Sequence, residues 1–274
     1  MLGACVLFAL MATFVGLAQA RDPALSMLVA SSMRAGVNLL ALVVLVRGDL
    51  PRLVGDGRAA LWTRGVFGGC SLLLYFTSLA HLSVGEAAFL NQTSAVWVAI
   101  LAPLVLRERT SRWVWAAVAG SMVGVAFLSH PRGDTGDLYG RFAGLASGLT
   151  SATAYVAVRR ASQTNGPVVI VFYFTLVATV VSLLLALVTG AVWPRDPVVY
   201  ALLAGSGVSA TGGQLLMTDA YRIGKASRIA AAGAAGPLVS TLFGWVALEQ
   251  IPDHAAFIGM AILVFTGILM PLLG

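Results

Sequence analysis

Residues 168–188 read VVIVFYFTLVATVVSLLLALV, an apolar run broken only by Tyr173, Thr175, Thr179 and Ser182. As a helix it reaches about 31 Å at 1.5 Å per residue, which matches the hydrocarbon core of a bilayer. A strand of a membrane barrel needs only about 9–11 residues and alternates in polarity. This run is too long and too uniform for that, so it reads as a membrane-spanning helix.

Nine further apolar runs surround it. With it they cover 2–19, 31–46, 64–80, 86–105, 112–129, 140–158, 168–189, 198–218, 226–247 and 255–271. The interruptions carry the turn formers and the charge: RGDLPRLVGDGR at 47–58, RERTSR at 107–112, HPRGDTGD at 130–137, TNGP at 164–167 and WPRDP at 193–197. Composition agrees, with 59% hydrophobic and 10% charged residues and a mean hydropathy of +0.91. A soluble domain carries about 25% charge. All the connections are short, so no extramembrane domain is expected. A soluble enzyme and a disordered chain are excluded, and the expected fold is all-α integral membrane.

The net charge of +6 is dispersed, with no basic run longer than two residues, so it is not a nucleic-acid footprint. Cys5 and Cys70 both lie in apolar segments, and His81, His130 and His254 are far apart. Neither a disulfide framework nor a metal site is expected, and no phosphate-cradling glycine loop points to ATP or another cofactor. Ala18-Gln19-Ala20 resembles a signal-peptidase site, but MLGACVLF has no charged side chain. A retained first helix is expected; a cleaved signal, or a start that omits a short basic leader, stays open.

Charge orients the spans. With a cytoplasmic N-terminus, the inner loops hold twelve basic groups: Arg47, Arg52, Arg58, Arg64, Arg107, Arg109, Arg112, Arg159, Arg160, Arg222, Lys225 and Arg228. The outer loops hold four, Arg21, Arg132, Arg141 and Arg195. Losing one span would invert everything after it and mix the two sets. Ten helices with both termini cytoplasmic are expected.

The halves also resemble each other. The stretch from Tyr75 to Ala87 can be laid on Gln214 to Ala226, a shift of 139 that aligns Gly85-Glu86-Ala87 with Gly224-Lys225-Ala226. Glu108 then falls against Glu249, a shift of 141. Five spans precede residue 138 and five follow, so the second copy would enter the membrane inverted. The expected units are residues 1–137 and 138–274. Inverted repeats belong to secondary transporters, whose sites lie near the midplane between the copies. A structural or partner-binding scaffold remains the alternative, and a channel is disfavoured because no charge ring or filter is visible.

Order and spacing across the whole chain resemble the drug/metabolite transporter superfamily, in particular bacterial inner-membrane proteins with two EamA-type repeats. The resemblance is carried by Arg64-Gly65, Leu74-Tyr75-Phe76, Leu79-Ala80-His81-Leu82, Asn91-Gln92-Thr93-Ser94 and Leu106-Arg107-Glu108-Arg109. The second half contributes Gly224-Lys225-Ala226, Gly236-Pro237-Leu238 and Leu248-Glu249-Gln250. It implies ten helices, cytoplasmic termini, a central cavity lined by helices 1, 3, 4, 6, 8 and 9, and carriage of small metabolites. Two departures loosen any transfer of substrate. Ala95-Val96 stand where many relatives have a proline, and Gln19 and Arg21 stand where one branch has a lysine.

Polar side chains within spans are the candidates for the site, because lipid cannot satisfy them. On a continuous helix Asn91 and Ser94 share a face, and Trp97 lies further along near it as an aromatic wall. Gln214 and Tyr75 occupy matching repeat positions, and Tyr155 is a softer candidate. Arg34, well inside a span, can snorkel outward or pair with Glu86, the carboxylate expected to carry a coupling proton. Glu108 and Glu249 read as helix-end residues. The stripe Gly140, Gly144 and Gly148 reads as a packing seam. The expected partners are a small-molecule metabolite and membrane lipid, without nucleic acid, the chain acting as a monomer or a homodimer.

Overall fold

Apolar runs too long for strands become helices, and helices account for the described secondary structure of this computed structural model. It describes residues 1–82, 84–129, 138–248 and 253–269, except for the side chains of 79, 80, 84–86, 128, 129, 248 and 267–269. The helices are α1 (Leu2–Arg21), α2 (Met27–Leu45), the short α3 (Pro51–Val54), α4 (Ala59–His81), α5 (Val84–Gln92), α6 (Ser94–Leu101) and α7 (Arg112–Ser129). They continue with α8 (Leu138–Ala161), α9 (Pro167–Val188), α10 (Pro197–Ile223), α11 (Ala226–Gly233), α12 (Gly236–Leu248) and α13 (His254–Leu263). Wider π-helical turns extend α6 over Ala102–Leu106 and α13 over Val264–Leu269.

Local chemistry sets several starts. Asp196 caps α10 by accepting from the Val198 N–H at 2.8 Å, with Pro197 in the first turn where its missing N–H costs nothing. Ser26 and Asp253 cap α2 and α13 in the same way. Inside α9 the polar breaks return to the backbone, Thr179 donating to the Thr175 carbonyl at 2.7 Å and Ser182 to Ala178 at 2.6 Å. Tyr173 donates to the Val54 carbonyl at 2.9 Å, so three of the four breaks are satisfied without water. Of the four, the buried Thr175 hydroxyl alone has no partner among the described residues.

Among the described residues, six segments are long and apolar enough to cross a membrane: Leu2–Arg21, Met27–Leu45, Ala59–Ser78, Ala87–Leu106, Pro167–Val188 and Ala226–Ala247. Arg112–Phe127 and His254–Thr266 are apolar but shorter. The helices α8 and α10 are long yet less apolar; the buried face of α8 is mostly Gly, Ala and Ser, and that of α10 mixes small and polar residues with Val199, Leu203, Met217 and Tyr221. Small residues on the buried face let neighbouring helices approach closely, while Phe142 and Val208 stay exposed on the other side. Exposed apolar side chains occur on many of the helices, Val188 at 82% and Leu104 at 73% among them. That is an all-α, multi-pass membrane bundle.

Its packing repeats. Helix α1 packs on α10 and α12, and α8 packs on α4 and α6; α2 packs on α9, and α7 on α13. If α1, α2, α4, α5–α6 and α7 are set against α8, α9, α10, α11–α12 and α13, each pairing has its counterpart. Both members of the fourth pair are broken, the first at Thr93 and the second at Ala234-Ala235. Pro237 follows only the second break, so the missing proline at Ala95-Val96 does not keep the first helix continuous.

The glycine stripe of α8 is a seam. A Cβ on Gly140 would meet His81, one on Gly144 would meet Leu90 and Ser78, and one on Gly148 would meet Thr93 and the Leu90 and Asn91 carbonyls. At one end of the bundle, the Asp56 N–H donates to Asn165 at 3.1 Å and the Thr164 hydroxyl donates to Asp56 at 2.6 Å. Side-chain hydrogen bonds to its carboxylate, from Thr164 first and then Asn165, hold the Asp56 carboxyl below its usual range.

Candidate functional site

A cavity of about 290 Å³ lies among α1, α2, α4, α5, α8, α9 and α10, close to the lower end of the usual size for small-ligand pockets, about 300 Å³. Both halves line it: Met11, Arg34, Arg64, Tyr75 and Asn91 from the first, Ser151, Tyr155, Phe174 and Gln214 from the second. A larger recess of about 470 Å³ opens between the start of α4 and the end of α8. Arg58 and Arg160 line that recess, and Arg58 is paired with Asp56. The cavity that joins the two halves is the stronger candidate.

Of the residues singled out in the sequence, Tyr75, Asn91, Tyr155, Gln214 and Arg34 line this cavity. Tyr75 has no hydrogen-bond partner among the described residues. Asn91 serves cavity and packing together, because its Nδ2 donates to Ser147 Oγ at 3.0 Å. Tyr155 stacks on Tyr221, centroids 5.5 Å apart. The two rings belong to a buried cluster with Ala4, Met217, Ala226 and Ala230.

Ser94 and Trp97 do not line the cavity. The shared face with Asn91 assumed a continuous helix, whereas α5 ends at Gln92 and α6 begins at Ser94. The Thr93 hydroxyl turns back to the Leu90 carbonyl at 2.6 Å, Ser94 is buried, and Trp97 packs on the hydrophobic cluster. The Glu86 side chain and Glu249 lie outside the described residues. Arg34 forms no ion pair among the described residues; its Nη1 approaches Met11 Sδ at 3.2 Å.

Arg64 is the residue the sequence misplaced. Counted above as an inner-loop charge, it lies five residues inside α4 and is only 3% exposed. Its Nη2 donates to Gln214 Oε1 at 2.9 Å, and its guanidinium carbon sits 4.1 Å from the centre of the Phe174 ring. The apolar Ala59-Ala60-Leu61-Trp62 ahead of it was the available signal, since a helix starting there carries Arg64 about 7.5 Å inward. The loop asymmetry survives its removal, at eleven against four.

Glu108 is not merely a helix end. One carboxylate oxygen accepts from Arg159 Nε at 2.8 Å and the other from the Ala226 N–H at 2.8 Å. Arg159 Nη1 also donates to the Tyr221 and Arg222 carbonyls. This knot joins the chain after α6 to the ends of α8 and α10 and the start of α11. Among the described residues, no three His, Cys, Asp or Glu side chains gather as a metal site would require.

The chain matches the EamA-like transporter family twice, over residues 1–130 and over 138–273. It belongs to that family. EamA-like relatives include the pseudopaline exporter CntI of Pseudomonas aeruginosa, 29% identical over 231 residues that cover 84% of this chain and 81% of the relative. A riboflavin transporter of Vibrio cholerae is 26% identical over 194 residues, covering 70% of this chain and 64% of that one. A solved crystal structure, 20% identical, superposes with a TM-score of 0.83 over 99% of this chain and 97% of its own. At that identity the likeness shows the fold alone. This EamA-like protein is thus a multi-pass membrane protein from a family of small-solute transporters, and neither relative's named solute passes to it by similarity.

Proposed function

We propose that the protein is a secondary carrier of the bacterial inner membrane that moves a small organic solute by alternating access. Its ten spans form two inverted five-helix repeats, residues 1–137 and 138–274, with both termini cytoplasmic. The observation that carries this is the cavity between the halves, lined from both. Tyr75, Asn91, Tyr155 and Gln214 contact the solute there.

The knot at Glu108 supplies the other requirement of a carrier, a closure at one end. By the charge orientation it lies on the inner side, with the Tyr155–Tyr221 stack between it and the cavity. The state described is therefore closed inward. Moving to the inward-open state requires the knot to part and the broken helices α5–α6 and α11–α12 to shift against α8 and α1, their neighbours. Saturable, gradient-driven accumulation in proteoliposomes supports this function. Flux that never saturates points to a channel, and no flux of any tested metabolite points to a scaffold.

A further inference from the structure

We infer that the central cavity takes a small organic anion, a carboxylate or a phosphate ester, held between Arg64 and Arg34; this rests on the carrier function proposed above and names its substrate class. An arginine inside a membrane span is costly unless its charge is met. Arg64, almost wholly buried, meets only a neutral amide at Gln214 and the face of Phe174. Its Nε is buried with no partner. An aromatic face and one amide oxygen offset part of a cation's desolvation and neutralise none of it.

Arg34 reaches the same cavity from a different depth. It stands eleven residues before the end of α2, whereas Arg64 stands five residues after the start of α4, and these two helix ends are joined by one short connection. Its only side-chain hydrogen-bond partner among the described residues is the Met11 thioether, a weak acceptor. Neither arginine forms an ion pair among the described residues. Two cations therefore face about 290 Å³ of shared space with no counter-charge among the described side chains around them.

The remaining lining suits the same guest. The Tyr75 hydroxyl is an unused donor, and the Ser71–Ser151 hydroxyl pair lies nearby. A cation would be repelled, and a neutral solute would leave both guanidiniums unmet. An anion supplies the missing charge where the low dielectric makes it count most. The forked guanidinium fits carboxylate and phosphate oxygens alike.

The test uses the full-length protein purified in detergent and its thermal unfolding with succinate, citrate or glycerol 3-phosphate. Succinamide, glycerol and putrescine are the neutral and cationic controls at matched ionic strength. The inference expects stabilisation by one or more anions and none by the controls, with carboxylate and phosphate arms separating the two anion types. Arg64→Gln and Arg34→Gln should each weaken the apparent affinity roughly ten- to a hundredfold, the loss of one charged hydrogen bond, and Arg64→Lys should keep part of it. Arg64→Gln should leave the empty protein as stable as before or more so, because it removes an unmet charge; a merely structural arginine would lower that stability without altering anion selectivity. If Arg64→Gln does not fold, Arg34→Gln carries the same test, having only a thioether to lose.

Response to neutral or cationic probes alone overturns the inference, as does an anion response unchanged in both glutamine variants. In proteoliposomes, saturable flux of a control solute with inert anions overturns the anion site and leaves the carrier standing. Anion binding that needs both arginines but produces no flux supports the site and overturns the carrier.

Discussion

Replacing Glu108 by glutamine should open the inner end. The carboxylate serves two donors, Arg159 Nε and the Ala226 N–H, one on each oxygen. Side-chain exposure is 13% for Glu108 and 24% for Arg159. Glutamine keeps the shape but offers one oxygen to the two donors and turns an N–H group toward the other. Arg159 is not orphaned, because Nη1 keeps the Tyr221 and Arg222 carbonyls. The loss should fall between that of a surface pair and that of a severed buried one, about 1–3 kcal/mol. Applied to the inward-closed state alone, it shifts the closed-to-open ratio by roughly 5- to 160-fold. Cys5 reports the change. It is 2% exposed, with Sγ 3.9 Å from the Gly233 carbonyl of α11. In a Cys70→Ser background, its labelling by a membrane-impermeant maleimide in inside-out vesicles should accelerate by a comparable factor. An unchanged labelling rate in folded Glu108→Gln protein would refute the latch.

Gln214→Leu should weaken solute binding by about 0.5–1.5 kcal/mol for the lost ligand bond, and by more through Arg64, whose Nη2 loses its acceptor. Tyr75→Phe should weaken binding while leaving detergent-solubilised yield near normal, since that hydroxyl holds no other described group; normal affinity in both variants would remove them from the site. Gly148→Ala should destabilise the fold by about 1–3 kcal/mol, read as a lower unfolding temperature. There the new methyl would stand 3.0 Å from the Leu90 carbonyl, which cannot rotate away.

The sequence makes the spans legible because lipid imposes one rule, apolar length, on every outward face. The rule weakens for α8 and α10, whose apolar runs at 140–158 and 198–218 are diluted by small and polar residues on the buried face. The lining of the cavity is legible where a polar residue sits on an unbroken helix, as with Tyr75 and Gln214. It fails at Ser94 and Trp97, because the break at Thr93 changes the facing of everything beyond it and nothing in NQTSAVW announces a break. Arg64 was hidden by a different ambiguity. A basic residue near a span boundary reads as a loop charge, and only the position of the first turn of α4 reveals that it lies inside. The Glu108 knot depends on four chain ends meeting, which no local pattern encodes.

Counterflow in proteoliposomes tests the central claim most directly. Vesicles are loaded with a high concentration of the unlabelled solute that best stabilises the purified protein, and a trace of labelled solute is added outside. A carrier that alternates between two closed ends should draw the label inward past equilibrium, giving a transient overshoot that Gln214→Leu diminishes. Label that only approaches equilibrium, or does not enter, would contradict the account.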